Sequence, residues 1–312
     1  QRVYALDPQT LAPVAASERL APVFSSGAAQ IASDDERLYV RGDAFDGIHV
    51  LDRQSLEETD FVPIDAAALA VENGGRLFVI ERQPSPMTAE LSGFAVVTLP
   101  LDDLQAEPQP FGPTAMQPFG SLDDLVVNLD QRLLYVGYHD TGGSPNRHYH
   151  TYRAYDLASG AQVDMGLPHE SASTALRPSL SGRGTAAVSY RWEGIYPQQE
   201  RIYLLDREEE PRTVENVSGP LAVDAAGHWL YVARPRGLWV LENYRDADYF
   251  LLDAVIPFLQ GPPADVRLSP DGETLYLFGN GWLTALATTE LHEMAGIESF
   301  APFPFTWRSQ TG

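Results

Sequence analysis

The chain has 312 residues, with 43 Asp and Glu against 21 Arg and no Lys, for a formal charge of −22. So acidic a surface repels phosphate backbones and anionic bilayers and argues against nucleic acid as a partner. The missing lysine removes Schiff-base, P-loop and kinase chemistry, and the missing cysteine removes thiol nucleophiles, disulfides and zinc–thiolate sites.

No apolar run approaches the ~20 residues of a membrane-spanning helix, so no transmembrane segment is expected. A lysine-free composition fits either a GC-rich genome or a salty or acidic milieu. The chain begins at Gln1 with strand-like sequence and reads as a processed N-terminus, which points to an extracytoplasmic protein: secreted, periplasmic or on the cell surface.

Residues 2–7, Arg-Val-Tyr-Ala-Leu-Asp, read as a strand with no partner upstream. A phrase then recurs: a small apolar strand, a polar turn, a Leu-Tyr-Val-like strand, a variable loop, and an apolar strand ending in Leu-Asp. Its copies lie at 31–40 with 48–52, 69–79 with 94–99, 125–136 with 152–156, 180–188 with 202–206, 221–232 with 238–241, and 266–277 with 282–286.

Anchors at Leu38, Leu77, Leu134, Ala186, Leu230 and Leu275 are 39, 57, 52, 44 and 45 residues apart, close to the ~40–50-residue blade period of propellers. Strands are short and rich in β-branched and aromatic residues, turns carry Gly, Asp or Pro, and helix-period patterns are hard to find. The apolar residues 300–307 follow the sixth copy. Pairing them with residues 2–7 would build a further blade from both termini and remove free sheet edges. The expectation is a single all-β domain over 1–312: a β-propeller of about seven four-stranded blades closed by its terminal strands, with six blades as the alternative.

Ser-Pro-Asp-Gly-Glu-Thr-Leu-Tyr-Leu at 269–277 resembles the repeat of YVTN and TolB-like β-propellers, and residues 35–40 and 227–232 are similar to it. The resemblance implies the fold and often an exported bacterial setting. It implies no activity, because propellers host binding, scaffolding, hydrolytic, lyase and redox roles.

In such a fold, loops joining second and third strands lie on the face that usually binds ligands. Those loops are short in copies five and six (234–237 and 279–281) and long in copies two to four (81–92, 139–150 and 191–200). The long loops are candidate contacts for a protein partner or a small anionic ligand. Tyr149, Trp192 and Tyr196 supply aromatic anchors there. Arg82, Arg191 and Arg234 stand at the strand tops, where their forks suit a carboxylate or phosphate. The alternative is that they pair with neighbouring acids such as Glu81, Asp140 and Glu193.

Histidines cluster at 139–150. His139, His148, His150 and Asp140, joined by His169 and Glu170, have the donor chemistry of a divalent-metal site, with incidental histidines in a polar loop as the alternative. Asp123 and Asp124 have the oxygens for a calcium site. Asn216-Val217-Ser218 is a glycosylation sequon. No nucleophile elbow, His-Glu-x-x-His or dinucleotide fingerprint is present.

The leading expectation is therefore a non-catalytic binding or scaffold propeller, alone or as a subunit of a larger assembly. The competing one is a metal-dependent, lactonase- or lyase-like propeller enzyme with its site at the channel mouth.

Overall fold

The computed structural model describes residues 2–8, 10–20, 29–42, 47–84, 92–115, 120–140, 148–167, 172–173, 184–192, 199–215, 217–235, 237–242, 251–256, 261–279, 282–295 and 309–311. Strand β1 (Tyr4–Leu6) pairs with β2 (Pro13–Ala16) as a two-stranded sheet. The first copy forms β3 (Ala29–Ser33), β4 (Arg37–Gly42), β5 (Ile48–Asp52) and β6 (Glu58–Val62). The second forms β7 (Ala66–Glu72), β8 (Arg76–Pro84), β9 (Ser92–Pro100) and β10 (Gln109–Ala115). The third forms β11 (Gly120–Asn128), β12 (Leu133–Asp140), β13 (His148–Asp156) and β14 (Gln162–Val163), and a short β15 (Ala172–Ser173) follows. The fourth shows three strands among the described residues, β16 (Ala186–Trp192), β17 (Gln199–Leu205) and β18 (Arg212–Glu215).

The fifth copy forms β19 (Leu221–Val223), β20 (Trp229–Arg234), β21 (Gly237–Glu242) and β22 (Leu251–Ile256). The sixth forms β23 (Asp265–Leu268), β24 (Thr274–Gly279), β25 (Trp282–Ala287) and β26 (Ser309–Thr311), with a helix α1 (Thr288–Ala295) between β25 and β26. Within the sheets the strands follow chain order, the meander of a propeller blade, except that β15 pairs with β13 in the third. The apolar segment 300–307 lies outside the described residues.

The chain divides into two compact units. The first comprises Gln1–Asp7, Ala12–Val127 and Arg132–Asp164, and the second Pro8–Leu11, Asn128–Gln131 and Met165–Gly312. The second strands carry an unbroken apolar run at their centres, as in Leu77–Ile80 and Leu230–Ala233, and the cores show why. Side chains alternate faces along a strand. Leu77 and Val79 enter a core shared with the first copy's Tyr39, Ile48 and Val50. Phe78 and Ile80 enter one shared with the third copy's Leu134 and Val136. Likewise Leu230 and Val232 pack with Ile202 and Leu204, while Tyr231 and Ala233 pack with Leu275 and Leu277. A sheet buried on both faces needs an unbroken apolar strand rather than an alternating one.

The repeat's polar letters close its turns. At the end of the first strand, Asp34 Oδ1 accepts the N–H groups of Glu36 (2.9 Å) and Arg37 (2.6 Å). Asp224 Oδ1 accepts those of His228 (2.6 Å) and Trp229 (3.0 Å), and Asn128 Oδ1 accepts that of Gln131 (3.1 Å). At the end of the third strand, Asp52 Oδ1 accepts from Gln54 and Ser55, and Asp156 Oδ1 from Ala158 and Ser159. These side chains occupy backbone donors that a turn leaves without a ladder partner.

A matching backbone bond closes the next hairpin in three sheets: Asp52 N–H to Glu57 O, Asp156 N–H to Ala161 O and Asp7 N–H to Ala12 O, each 2.9 Å. The turn after β1 is thus built like the third-to-fourth-strand turns of the first and third copies. Glycine is required at Gly184, where φ is +52° and a Cβ would lie 1.7 Å from the Ala225 carbonyl oxygen.

One expectation is corrected. The hairpin strands run further than expected, since ladder pairing continues to Pro84↔Ser92 and Trp192↔Gln199; residues 85–91, 141–147 and 193–198 lie outside the described residues. Among the described residues one short helix accompanies the sheets. Thr288 opens α1 with its backbone N–H on Glu273 O (2.9 Å) and its hydroxyl on Gly272 O (2.8 Å), and Leu291 buries completely. Eight residues are too few for a legible period.

Candidate functional site

The arginines at the strand tops are paired within the fold. Arg82, in β8, places Nη1 3.0 Å from Asp65 Oδ1. Arg234, ending β20, places Nη2 2.8 Å from Glu200 Oε2, with its guanidinium 4.6 Å from the centre of the Trp239 ring. Asp65 directly precedes β7, the strand paired with β8, while Glu200 lies in β17 of the fourth copy's sheet. The side chains of Arg191, Trp192 and Tyr149, and the whole of Tyr196, lie outside the described residues.

His139 and His150 are direct cross-strand partners, and their rings stack with centroids 4.2 Å apart and parallel planes. Imidazole lone pairs lie in the ring plane, so stacked rings aim theirs side by side. A shared metal needs both nitrogens to converge at ~2.1 Å. The side chains of Asp140 and His148, and all of His169 and Glu170, lie outside the described residues. No set of three or more ligating side chains occurs among the described residues. Asp124 Oδ1 accepts its neighbour Leu125's N–H and Oδ2 accepts the Tyr152 hydroxyl, while the Asp123 side chain and Asn216 lie outside the described residues.

A cavity of about 450 Å³ opens instead at the other end of the strands, in the second unit. Its walls are the β19–β20 turn, the β23–β24 turn and His292 of α1. That volume falls in the range of small-ligand sites. His292 stacks on Trp229 (centroids 3.9 Å, planes 10° apart), and its Nε2 lies 2.6 Å from the Tyr231 hydroxyl. Beside it His228 Nε2 meets Glu242 Oε1 at 2.9 Å.

Burial, then the Asp224 carboxylate, pushes the Tyr231 phenol well above its usual range. Burial also lowers His292, with His228 adding to the effect and Asp224 and Glu242 opposing it. The Tyr231 hydroxyl and His292 Nε2 share one hydrogen bond, whose direction follows the His292 tautomer.

The remaining walls are acidic and apolar. Asp271 Oδ1 accepts from Ser269 Oγ (2.5 Å) and Glu273 N–H (3.0 Å), bonds that hold its carboxyl below the usual range. Arg267 is offset by Asp265, 2.9 Å away. Sequence reasoning missed this cavity, having treated residues 227–232 only as a repeat and set no element over residues 288–295. The signal present was the His-Trp-Leu-Tyr run, whose aromatics are more than a core strand requires.

No family model matches the sequence, and no curated relative does. Solved structures share its fold. Hydrazine synthase from Kuenenia stuttgartiensis superimposes with a TM-score of 0.61 at 17% identity, over 90% of this chain and 88% of that one. A functionally unknown protein from Desulfotomaculum acetoxidans gives 0.57 at 13%, over 92% and 89%. The periplasmic gluconolactonase of Pseudomonas aeruginosa gives 0.53 at 15%, over 92% and 87%. The likeness is one of fold alone: the chain is an all-β protein of antiparallel, mostly four-stranded sheets with β-propeller neighbours. No helix among the described residues is long and apolar enough to cross a membrane.

Proposed function

We propose that this chain is an extracytoplasmic β-propeller that acts by binding, and that its ligand sits in the cavity walled by Trp229, Tyr231 and His292. The cavity carries this reading: it joins an aromatic wall to a neutral imidazole and two carboxylates, the mixed apolar and polar lining typical of ligand sites. The periplasmic gluconolactonase of like fold supports an extracytoplasmic location.

The same reading takes the chain as one domain of seven blades. The β1–β2 hairpin has the turn of a third-to-fourth-strand pair. It packs Val3 and Ala5 against the first copy while Tyr4 and Val14 stay 55% and 67% exposed, so two inner strands are still wanted beside it.

Native mass spectrometry of the protein from its own source tests the function. The expected result is a non-covalent adduct of small-molecule mass that Trp229→Ala loses. A chain that carries no adduct at saturating extract concentrations would overturn the reading.

A further inference from the structure

The cavity's chemistry selects a class of ligand. Asp224 and Asp271 face it from the two turns, and each is bonded to its own turn through Oδ1. Among the described residues this leaves Oδ2 of each for an incoming donor. The one cation among the described wall residues, Arg267, is tied to Asp265, and His292 contributes a ring whose Nε2 is bonded to the Tyr231 hydroxyl. The walls between the two carboxylates are apolar and aromatic: Leu221, Val223, Leu268 and Trp229.

From this arrangement we infer that the cavity binds a small organic ammonium ion, its nitrogen held between Asp224 and Asp271 and its hydrocarbon body laid against Trp229. This deepens the proposed binding function and rests on it. A carboxylate or phosphate would meet two negative charges and no uncommitted arginine. A neutral molecule would forgo the charge attraction that both carboxylates offer. An ammonium satisfies both, and an aromatic face adds cation–π attraction. Ionisation holds at neutral pH, since Asp271 lies below the ordinary carboxylate range.

The test compares three probes with the same tail and different heads: phenethylammonium, phenylacetate and phenethyl alcohol, titrated calorimetrically into the whole chain. Phenethylammonium should bind saturably at one site and phenylacetate should not bind. Asp224→Asn with Asp271→Asn should weaken the ammonium by at least about tenfold, the loss of one charge-assisted contact or more. Asparagine keeps the Oδ1 acceptor that closes the turn, as Asn128 does in the third copy, so folding is preserved while charge is removed.

A control pair, Glu208→Gln with Glu209→Gln, makes the same charge change on an exposed turn and should leave binding unchanged. Equal weakening by both pairs would overturn the inference, because the ammonium would then be following net charge. Phenethyl alcohol binding as tightly as phenethylammonium, with a Trp229 dependence, would overturn the ammonium class and leave the binding function standing. Silence of all three probes beside a native adduct that needs Trp229 would do the same.

Discussion

Asp34 and Asp224 end the first strands of the first and fifth copies and close the same turn, yet the tyrosine each faces is used differently. In the first copy Tyr39, fully buried, donates to Asp34 Oδ2 at 2.8 Å, and the carboxylate is thereby bonded through both oxygens. Burial alone would raise Asp34, but the hydroxyl and the two backbone N–H groups outweigh it and hold the group below its usual range. In the fifth copy the equivalent tyrosine, Tyr231, turns its hydroxyl to His292 of α1. The carboxylate keeps one oxygen for the turn and one for the cavity. A repeat that is structural in one sheet has been opened in another by an eight-residue helix.

Mutations can break this comparison. The largest expected effect is at Asp34→Ala, which strips acceptors from two backbone donors and a buried phenol; a loss of about 3 kcal/mol in urea unfolding is expected. Tyr39→Phe should cost about 1–2 kcal/mol, because it leaves Asp34 Oδ2 a buried acceptor without its hydroxyl. Tyr231→Phe removes a bond to a neutral ring and should cost about 1 kcal/mol or less. If it costs as much as Tyr39→Phe, the two tyrosines are the same structural device and the contrast fails.

The smallest effect is on the acid dependence of stability. His292 sits below its ordinary value of 6.5, so as pH falls through 6.5 the unfolded chain takes up the proton first. Stability should therefore fall with pH until the folded-state pKa is passed. His292→Gln should flatten that slope in urea melts between neutral pH and about pH 5, on top of a pH-independent loss of about 1 kcal/mol from the missing ring stack and Tyr231 bond. An unaltered slope would show that other groups set it.

The blades were legible in the residues and the cavity was not, for physical reasons. A Leu-Tyr-Val strand buried on both faces, an Asp or Asn at several of the turns and a Leu-Asp at some third-strand ends are local patterns, each read within a dozen residues. The cavity is assembled from two turns and a helix, and its central bond joins residues 61 apart; no single window contains it. The arginines failed in a related way. Arg82 and Arg234 were set on strand tops, but their partners Asp65 and Glu200 stand 17 and 34 residues away in the chain. For the histidines, an alternating pattern reports a shared face of one strand. It does not report that His139 of the next strand lies flat against His150.

The aspartate-closed turns also set how damage spreads. Each turn side chain bonds to backbone only a few residues away, and each hairpin joins strands adjacent in the chain. Contacts of that kind have low sequence separation, which favours rapid hairpin formation and openings the size of one sheet. Native-state hydrogen exchange should therefore find amides grouped sheet by sheet, so that a lesion at the Asp224 turn releases the fifth copy's protons while those around Asp52 exchange at their original rate.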